Sequence, residues 1–142
     1  MSRTNPSPRI RELAKRLLFY EAGPEEPSWA DMTLGSRVGE KLRRRLGRLI
    51  GIAGFRTLHA RALTLAKAQV PVLGTVQIKL DGSLGGLSDL GNEEQAVEAN
   101  VVLIAQLLTL LINFIGDDIT LSLVHDAWPD FSVSDQRTLE KQ

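Results

Sequence analysis

The feature that most constrains the fold is a stretch of 18 residues, from Ala99 to Gly116, without an acidic or basic side chain. This length reaches the lower limit for a membrane-crossing helix, and it is also typical of a buried helix at the centre of a protein. The polar side chains near it recur at helical spacing and form one narrow stripe: Gln95, Glu98, Gln106, Thr109 and Asn113. The stripe favours a helix that other helices surround and that faces water on one side, and we expect no membrane contact.

Capping residues mark the start of two helices. Ser7 can cap an N-terminus, and Pro8 suits the first helical position, where a backbone N–H has no partner in any case. Asn92, followed by two glutamates and a glutamine, has the capping-box pattern. We therefore expect a first helix from Pro8 to just before Gly23, where a proline follows the glycine, and a central helix that ends at Gly116.

The segment 36–69 changes its apolar face halfway along. Apolar residues of its first half share one side of a helical wheel: Val38, Leu42, Leu46, Leu49, Ile50 and Ala53. Those of its second half lie on nearly the opposite side: Phe55, Leu58, Ala62, Leu65 and Ala66. Because the change falls at Gly51–Gly54, we expect two helices or one sharply kinked helix, about 36–51 and 54–69. The spacing of Gly47 and Gly51 also permits another helix to approach closely.

After Pro71 the apolar period changes to two, which is typical of a strand. Asp81–Gly82 then suits a tight turn, so we predict a small β-hairpin near 75–87. A short last helix over 119–128 follows the central one, with Asp117 or Asp118 as its cap. The fold class is mainly α, a compact bundle of four to five helices in a single domain over 1–142. Three segments are expected outside the helices, a loop and two flexible tails: 24–35, 1–6 and 132–142.

Composition excludes several classes of chemistry. The 142 residues include no cysteine, which excludes disulfides, zinc–thiolate sites, iron–sulfur clusters and a cysteine nucleophile. Residues 1–11 are polar and contain three arginines and two prolines, unlike a secretory signal. We expect a protein of a bacterial-type cytoplasm.

The charges are unevenly distributed although they sum to zero. Between Arg37 and Lys67 there are nine basic residues and one acid, whereas from Asp81 onward there are eleven acids and two bases. The basic helix 37–48 can face the chain's own acidic half, an acidic partner protein, or phosphates of a nucleic acid. The candidate contact residues are Arg37, Lys41, Arg44, Arg45 and Arg48.

His125 and Asp126 form a histidine–carboxylate pair that lies near Asp118 in the sequence. This pair is the basis of the hypothesis that the chain is a small metal-dependent enzyme. A histidine–aspartate metal site needs further histidines, and the chain has only His59 besides. No serine triad or phosphate-binding glycine loop is recognisable. We therefore expect no catalytic residues, no metal and no cofactor.

The two tryptophans, Trp128 and Trp29, are each expected either to close the core or to anchor a partner. The leading functional hypothesis is a non-catalytic protein-interaction or regulatory module, an adaptor that self-associates as a homodimer. A nucleic-acid-binding protein that uses the basic helix 37–48 is the alternative, and the metal-dependent enzyme is the second alternative.

Overall fold

The computed structural model describes residues 7–22, 34–80, 84–85 and 93–129, and within them the chain is mainly helical, as predicted. The elements in chain order are the helices α1 (Pro8–Ala22) and α2 (Leu34–Gln69), a 3₁₀ helix (Pro71–Thr75), the strands β1 (Gln77–Ile78) and β2 (Leu84–Gly85), and the helices α3 (Glu93–Ile115) and α4 (Asp117–Ala127). Trp29, the tails and most of the predicted loop lie outside the described residues, while Leu34 and Gly35 already belong to α2.

Helix α1 begins as its capping residues predict. The backbone N–H of Ile10 donates to Ser7 Oγ at 3.2 Å, and the N–H of Arg11 donates to the Ser7 carbonyl at 3.0 Å. Side-chain capping of this kind satisfies backbone donors that the first turn leaves without a partner.

Helix α2 bends sharply at Gly51, which confirms the predicted kink. Gly51 has φ 83° and ψ 161°, a region that glycine alone populates readily. The bend brings the two segments of α2 together, since Cε1 of His59 lies 3.4 Å from where a Cβ on Gly39 would stand. The imidazole of His59 is buried there and tilts against the ring of Phe55, with 5.1 Å between the ring centroids.

The glycines that flank this bend make room for isoleucines of the same helix. Ile52 Cδ1 lies 3.1 Å from where a Gly47 Cβ would stand, and Ile50 Cβ lies 3.3 Å from the corresponding point on Gly54. The close approach of another helix that the spacing of Gly47 and Gly51 permits is not seen among the described residues, since Gly47 meets only Ile52 of its own helix and Gly51 has no atom within 4 Å.

The predicted apolar face of the first α2 segment is too long. Val38, Leu42 and Leu46 are buried, but Leu49 is 56% exposed and Ala53 is also exposed. Ile50, just before the bend, is partly buried against the larger apolar cluster, whereas Ala53 lies beyond the bend at Gly51, which the helical wheel of a straight helix does not take into account.

Helix α3 lies at the centre and contacts α1, α2 and α4. Its residues 99–108 are all buried. They contribute to a larger apolar cluster shared with α1, α2 and α4 and to a smaller one shared with the end of α2 and the 3₁₀ helix. Gln106 was expected to face water, and this is wrong: it is buried and donates to Gln69 Oε1 at 2.8 Å.

The α3 segment Glu94–Ile115 is long and apolar enough to cross a membrane, and 61% of its most apolar window is buried by the rest of the protein. This degree of cover is compatible with a soluble protein.

Gly116 joins α3 to α4 with φ 92° and ψ 159°, nearly the conformation of Gly51. Gly116 itself is the N-cap of α4, without a side-chain cap bond, so the prediction that Asp117 or Asp118 is the cap is wrong. Both carboxylates lie in the first turn instead, where the helix dipole favours them.

The strands β1 and β2 pair antiparallel within the predicted hairpin range, with Gln77 opposite Gly85 and Ile78 opposite Leu84. Strand β1 packs beside α2.

Candidate functional site

Two of the predicted contact residues, Lys41 and Trp128, belong to a junction between three helices. Glu21 on α1 accepts a hydrogen bond from Trp128 Nε1 at 3.0 Å, and its Oε1 lies 2.9 Å from Lys41 Nζ on α2. The same ammonium group lies 5.6 Å from the centroid of the Trp128 ring. Trp128 is 2% exposed, so it closes the core rather than anchoring a partner.

The environment of Glu21 shifts its titration. Burial alone would raise the pKa of this carboxyl group, but hydrogen bonds from Lys41 and Trp128, with the charges of Lys41 and Arg37, lower it overall. The carboxylate is therefore held ionised by groups that come from α2 and from the end of α4.

The remaining predicted contacts do not form one continuous basic face. Arg44 Nε lies 3.4 Å from Glu40 Oε2, and Arg43 pairs with the same carboxylate through two nitrogens. The pKa of the Glu40 carboxyl group is lowered. The hydrogen bonds and charges of Arg43 and, to a smaller extent, of Arg44 lower it and outweigh burial, which raises it. The Nε and Nη2 atoms of Arg37 are buried and have no hydrogen-bond acceptor among the described residues.

Arg45 and Arg48 are exposed and make no ion pair with any residue of the described ranges, whereas Arg44 is exposed as well but pairs with Glu40. The structure thus divides the predicted surface. Lys41 holds helices together, Arg44 shares a carboxylate, and two arginines remain for a partner.

The residues of the metal hypothesis do not assemble. His125, Asp126 and Asp118 are exposed on α4, and the described part of the chain holds no group of three side chains that could ligate a metal ion. The geometry therefore offers no support for a metal-dependent reaction at α4.

A groove that the sequence analysis missed lies between the second segment of α2 and β1. It encloses about 470 Å³ and is lined by Arg56, Thr57, Ala60, Leu63, Thr64, Lys67, Gln77 and Ile78. We call it the α2–β1 groove. The hydroxyls of Thr57 and Thr64 donate to the carbonyls of Ala53 and Ala60, each at 3.0 Å, so the methyl groups and lone pairs of the threonines are what a ligand can meet.

The α2–β1 groove is basic at both ends. Arg56 and Lys67 are eleven positions apart, which is about three helical turns and about 16 Å, so both lie on one side of α2. Neither makes an ion pair with a described residue, and none of the described lining residues is acidic. Only the basic residues at 56 and 67 signal this groove in the sequence, because its second wall comes from β1.

Comparisons with known proteins give no match for the chain. No protein-family model matches it, and neither the curated proteins nor the solved structures give a significant match.

Proposed function

We propose that this chain is a non-catalytic protein-interaction or regulatory module, an adaptor that acts in a bacterial-type cytoplasm and self-associates as a homodimer. Its helices are proposed to form one compact bundle around α3. The observation that carries the proposal is the α2–β1 groove, whose walls are ordered elements and whose end charges lack partners in the described chain.

The composition of the groove supports a protein partner. Interfaces combine an apolar centre with a polar rim, and here Ala60, Leu63 and Ile78 lie between the basic ends. The described lining residues include no histidine, carboxylate or serine that would serve as a base or nucleophile.

Self-association is supported by exposed apolar side chains around the second glycine bend. Phe114 and Ile119 flank Gly116 and are 61% and 48% exposed. Large apolar groups in such positions are typical of contacts between copies. Light scattering over a hundredfold concentration range tests this: the mass should rise to that of a dimer, and Phe114→Ser with Ile119→Ser should weaken the association. A constant monomer mass would remove the homodimer from the proposal.

A photo-crosslinking residue tests the groove directly. We expect p-benzoylphenylalanine at Thr64, inside the groove, to form protein adducts in native-host cells, whereas the same residue at Lys15, exposed on α1, should not. Equal adduct patterns at both positions, or none at Thr64, would contradict an interaction role for this surface.

Nucleic-acid binding is proposed as the second candidate, because Arg45 and Arg48 face solvent. The dependence of binding on salt tests it, since log K falls with log salt by about 0.9 for each phosphate contact. Two open arginines predict a slope near −1.8, and the full set of five predicts about −4.5. Gel shifts with double-stranded DNA in a salt series measure this slope, and a complete lack of binding at low salt excludes the candidate.

A further inference from the structure

The ends of the α2–β1 groove set the spacing of the charges that can fill it. About 16 Å separates Arg56 from Lys67 along α2, as counted from the rise of the helix. An extended peptide advances about 3.3 Å per residue and its side chains alternate between two faces, so side chains four positions apart share one face and lie about 13 Å apart, a span that the long side chains of Arg56 and Lys67 can meet. The apolar floor between the ends, from Ala60 and Leu63, can take an apolar side chain of the same peptide.

The charge of the groove selects acidic groups. No carboxylate among the described lining residues competes for Arg56 or Lys67. Complementary charge at an interface fixes the register of a partner and suppresses partners of the wrong sign.

A nucleic acid fits this arrangement less well than a peptide. Each strand of a DNA duplex carries a phosphate about every 3.4 Å of helix axis, so about five phosphates of one strand would face two end cations over about 16 Å. For a single strand, the described lining residues include no aromatic ring on which a base could stack.

We propose that the α2–β1 groove binds an extended acidic peptide segment of a partner protein, with two carboxylates four positions apart and an apolar residue midway between them on the same face. The carboxylates pair with Arg56 and Lys67, and the apolar residue lies over Leu63. This inference rests on the proposed function and names the chemistry of its partner.

The test is a binding titration, by fluorescence anisotropy, with a rhodamine-labelled peptide Glu-Ser-Val-Ser-Glu. A peptide of the same composition with its two glutamates adjacent serves as the spacing control. We expect the spaced peptide to bind the wild-type chain about tenfold more tightly than the control, and to bind less tightly as salt rises. Equal binding of the two peptides, or no binding of either, overturns the inference.

Charge reversal assigns the site. Arg56→Glu with Lys67→Glu should weaken binding of the glutamate peptide at least tenfold and should create binding of a lysine version of the same peptide. Lys15→Glu with Arg61→Glu makes the same change of net charge at exposed positions outside the groove and should alter binding less than threefold. The gain of lysine-peptide binding shows that the reversed variant still folds. An equal loss of glutamate-peptide binding in both variants overturns the assignment of the binding site to the α2–β1 groove.

Two further outcomes separate this inference from the proposed function. If a twelve-residue oligothymidylate binds more tightly than the spaced peptide, and charge reversal of Arg56 and Lys67 abolishes that binding, the groove binds nucleic acid. This result would overturn the inference of a peptide ligand. If the residue at Thr64 forms adducts in cells but the spaced peptide does not bind, the inference of an acidic peptide ligand is overturned. The proposal of an interaction module is then unaffected.

Discussion

At the scale of single residues, the Glu21 carboxylate is the group whose loss should be felt most. It accepts the indole N–H of buried Trp128 and pairs with Lys41, so three helices meet at one side chain. Hydrogen bonds to charged groups contribute about 1.5–3 kcal/mol, and we expect Glu21→Gln to lower the free energy of unfolding by about 1–2 kcal/mol, because its amide oxygen can still accept one bond. Urea denaturation followed by circular dichroism measures it.

A matched control lies on the same helix. Glu12 pairs with Arg16 one turn away, with both side chains about half exposed. Such pairs contribute little, and Glu12→Gln should change the free energy of unfolding by less than about 0.5 kcal/mol. Equal effects of the two substitutions would contradict the role of the Glu21 junction.

The lowered pKa of Glu21 also predicts how stability depends on pH. A carboxyl group with a lower pKa in the folded state stabilises the fold above its unfolded pKa, and the effect is lost as pH falls through the folded pKa. The unfolding free energy of the wild-type chain should therefore decrease below about pH 5, and the difference from Glu21→Gln should narrow there. The pKa of Glu40 is lowered too, so the unfolding free energy of the Glu21→Gln variant should still decrease as pH falls, but less steeply than that of the wild-type chain. A difference that stays constant from pH 7 to pH 3 would contradict this assignment.

At the scale of elements, the Gly51 bend depends on backbone conformation alone. A Cβ at Gly51 would meet no atom within 4 Å, yet φ 83° and ψ 161° belong to a region that other residues rarely adopt. We expect Gly51→Ala to destabilise the fold by about 1–3 kcal/mol through strain. Gly74 is the control, because it also has open space around it but no positive φ, so Gly74→Ala should stay within about 0.5 kcal/mol. Thermal melts of the two variants compare them.

The elements that local signals determine could be predicted from the sequence. The capping residues placed α1 at Pro8–Ala22, and the change of apolar face placed the bend of α2 at Gly51. Gln106 could not be assigned, because its partner Gln69 comes from another helix and the wheel of α3 alone places it in the polar stripe.

The same distinction applies to the candidate site. Glu40 lies one turn from Arg44, so that ion pair was open to sequence reasoning, but Glu21 is twenty positions from Lys41 and reaches it only through the fold. The α2–β1 groove depends on how β1 packs beside α2, which no periodicity of either segment reports.

At the scale of the whole molecule, α3 links the two apolar clusters. Ile104 and Leu107 belong to the cluster that contains Trp128, while Val102 and Leu103 belong to the cluster that contains Leu73. Because neither cluster is complete without α3, both should be lost in one cooperative transition. In a Trp29→Phe background, Trp128 is the only tryptophan, so its fluorescence reports the first cluster while circular dichroism reports all helices.

Leu73 tests this coupling from the far cluster. Leu73→Ala removes a side chain that is 1% exposed and should destabilise the fold by about 2–5 kcal/mol, while Leu80→Ala, at an 84% exposed leucine, should change it by less than about 0.5 kcal/mol. Because both clusters share α3, the two unfolding midpoints of Leu73→Ala must shift together. One midpoint is measured by Trp128 fluorescence and the other by circular dichroism. If the helical signal shifts while Trp128 fluorescence keeps its wild-type midpoint, the two clusters unfold separately and α3 does not couple them.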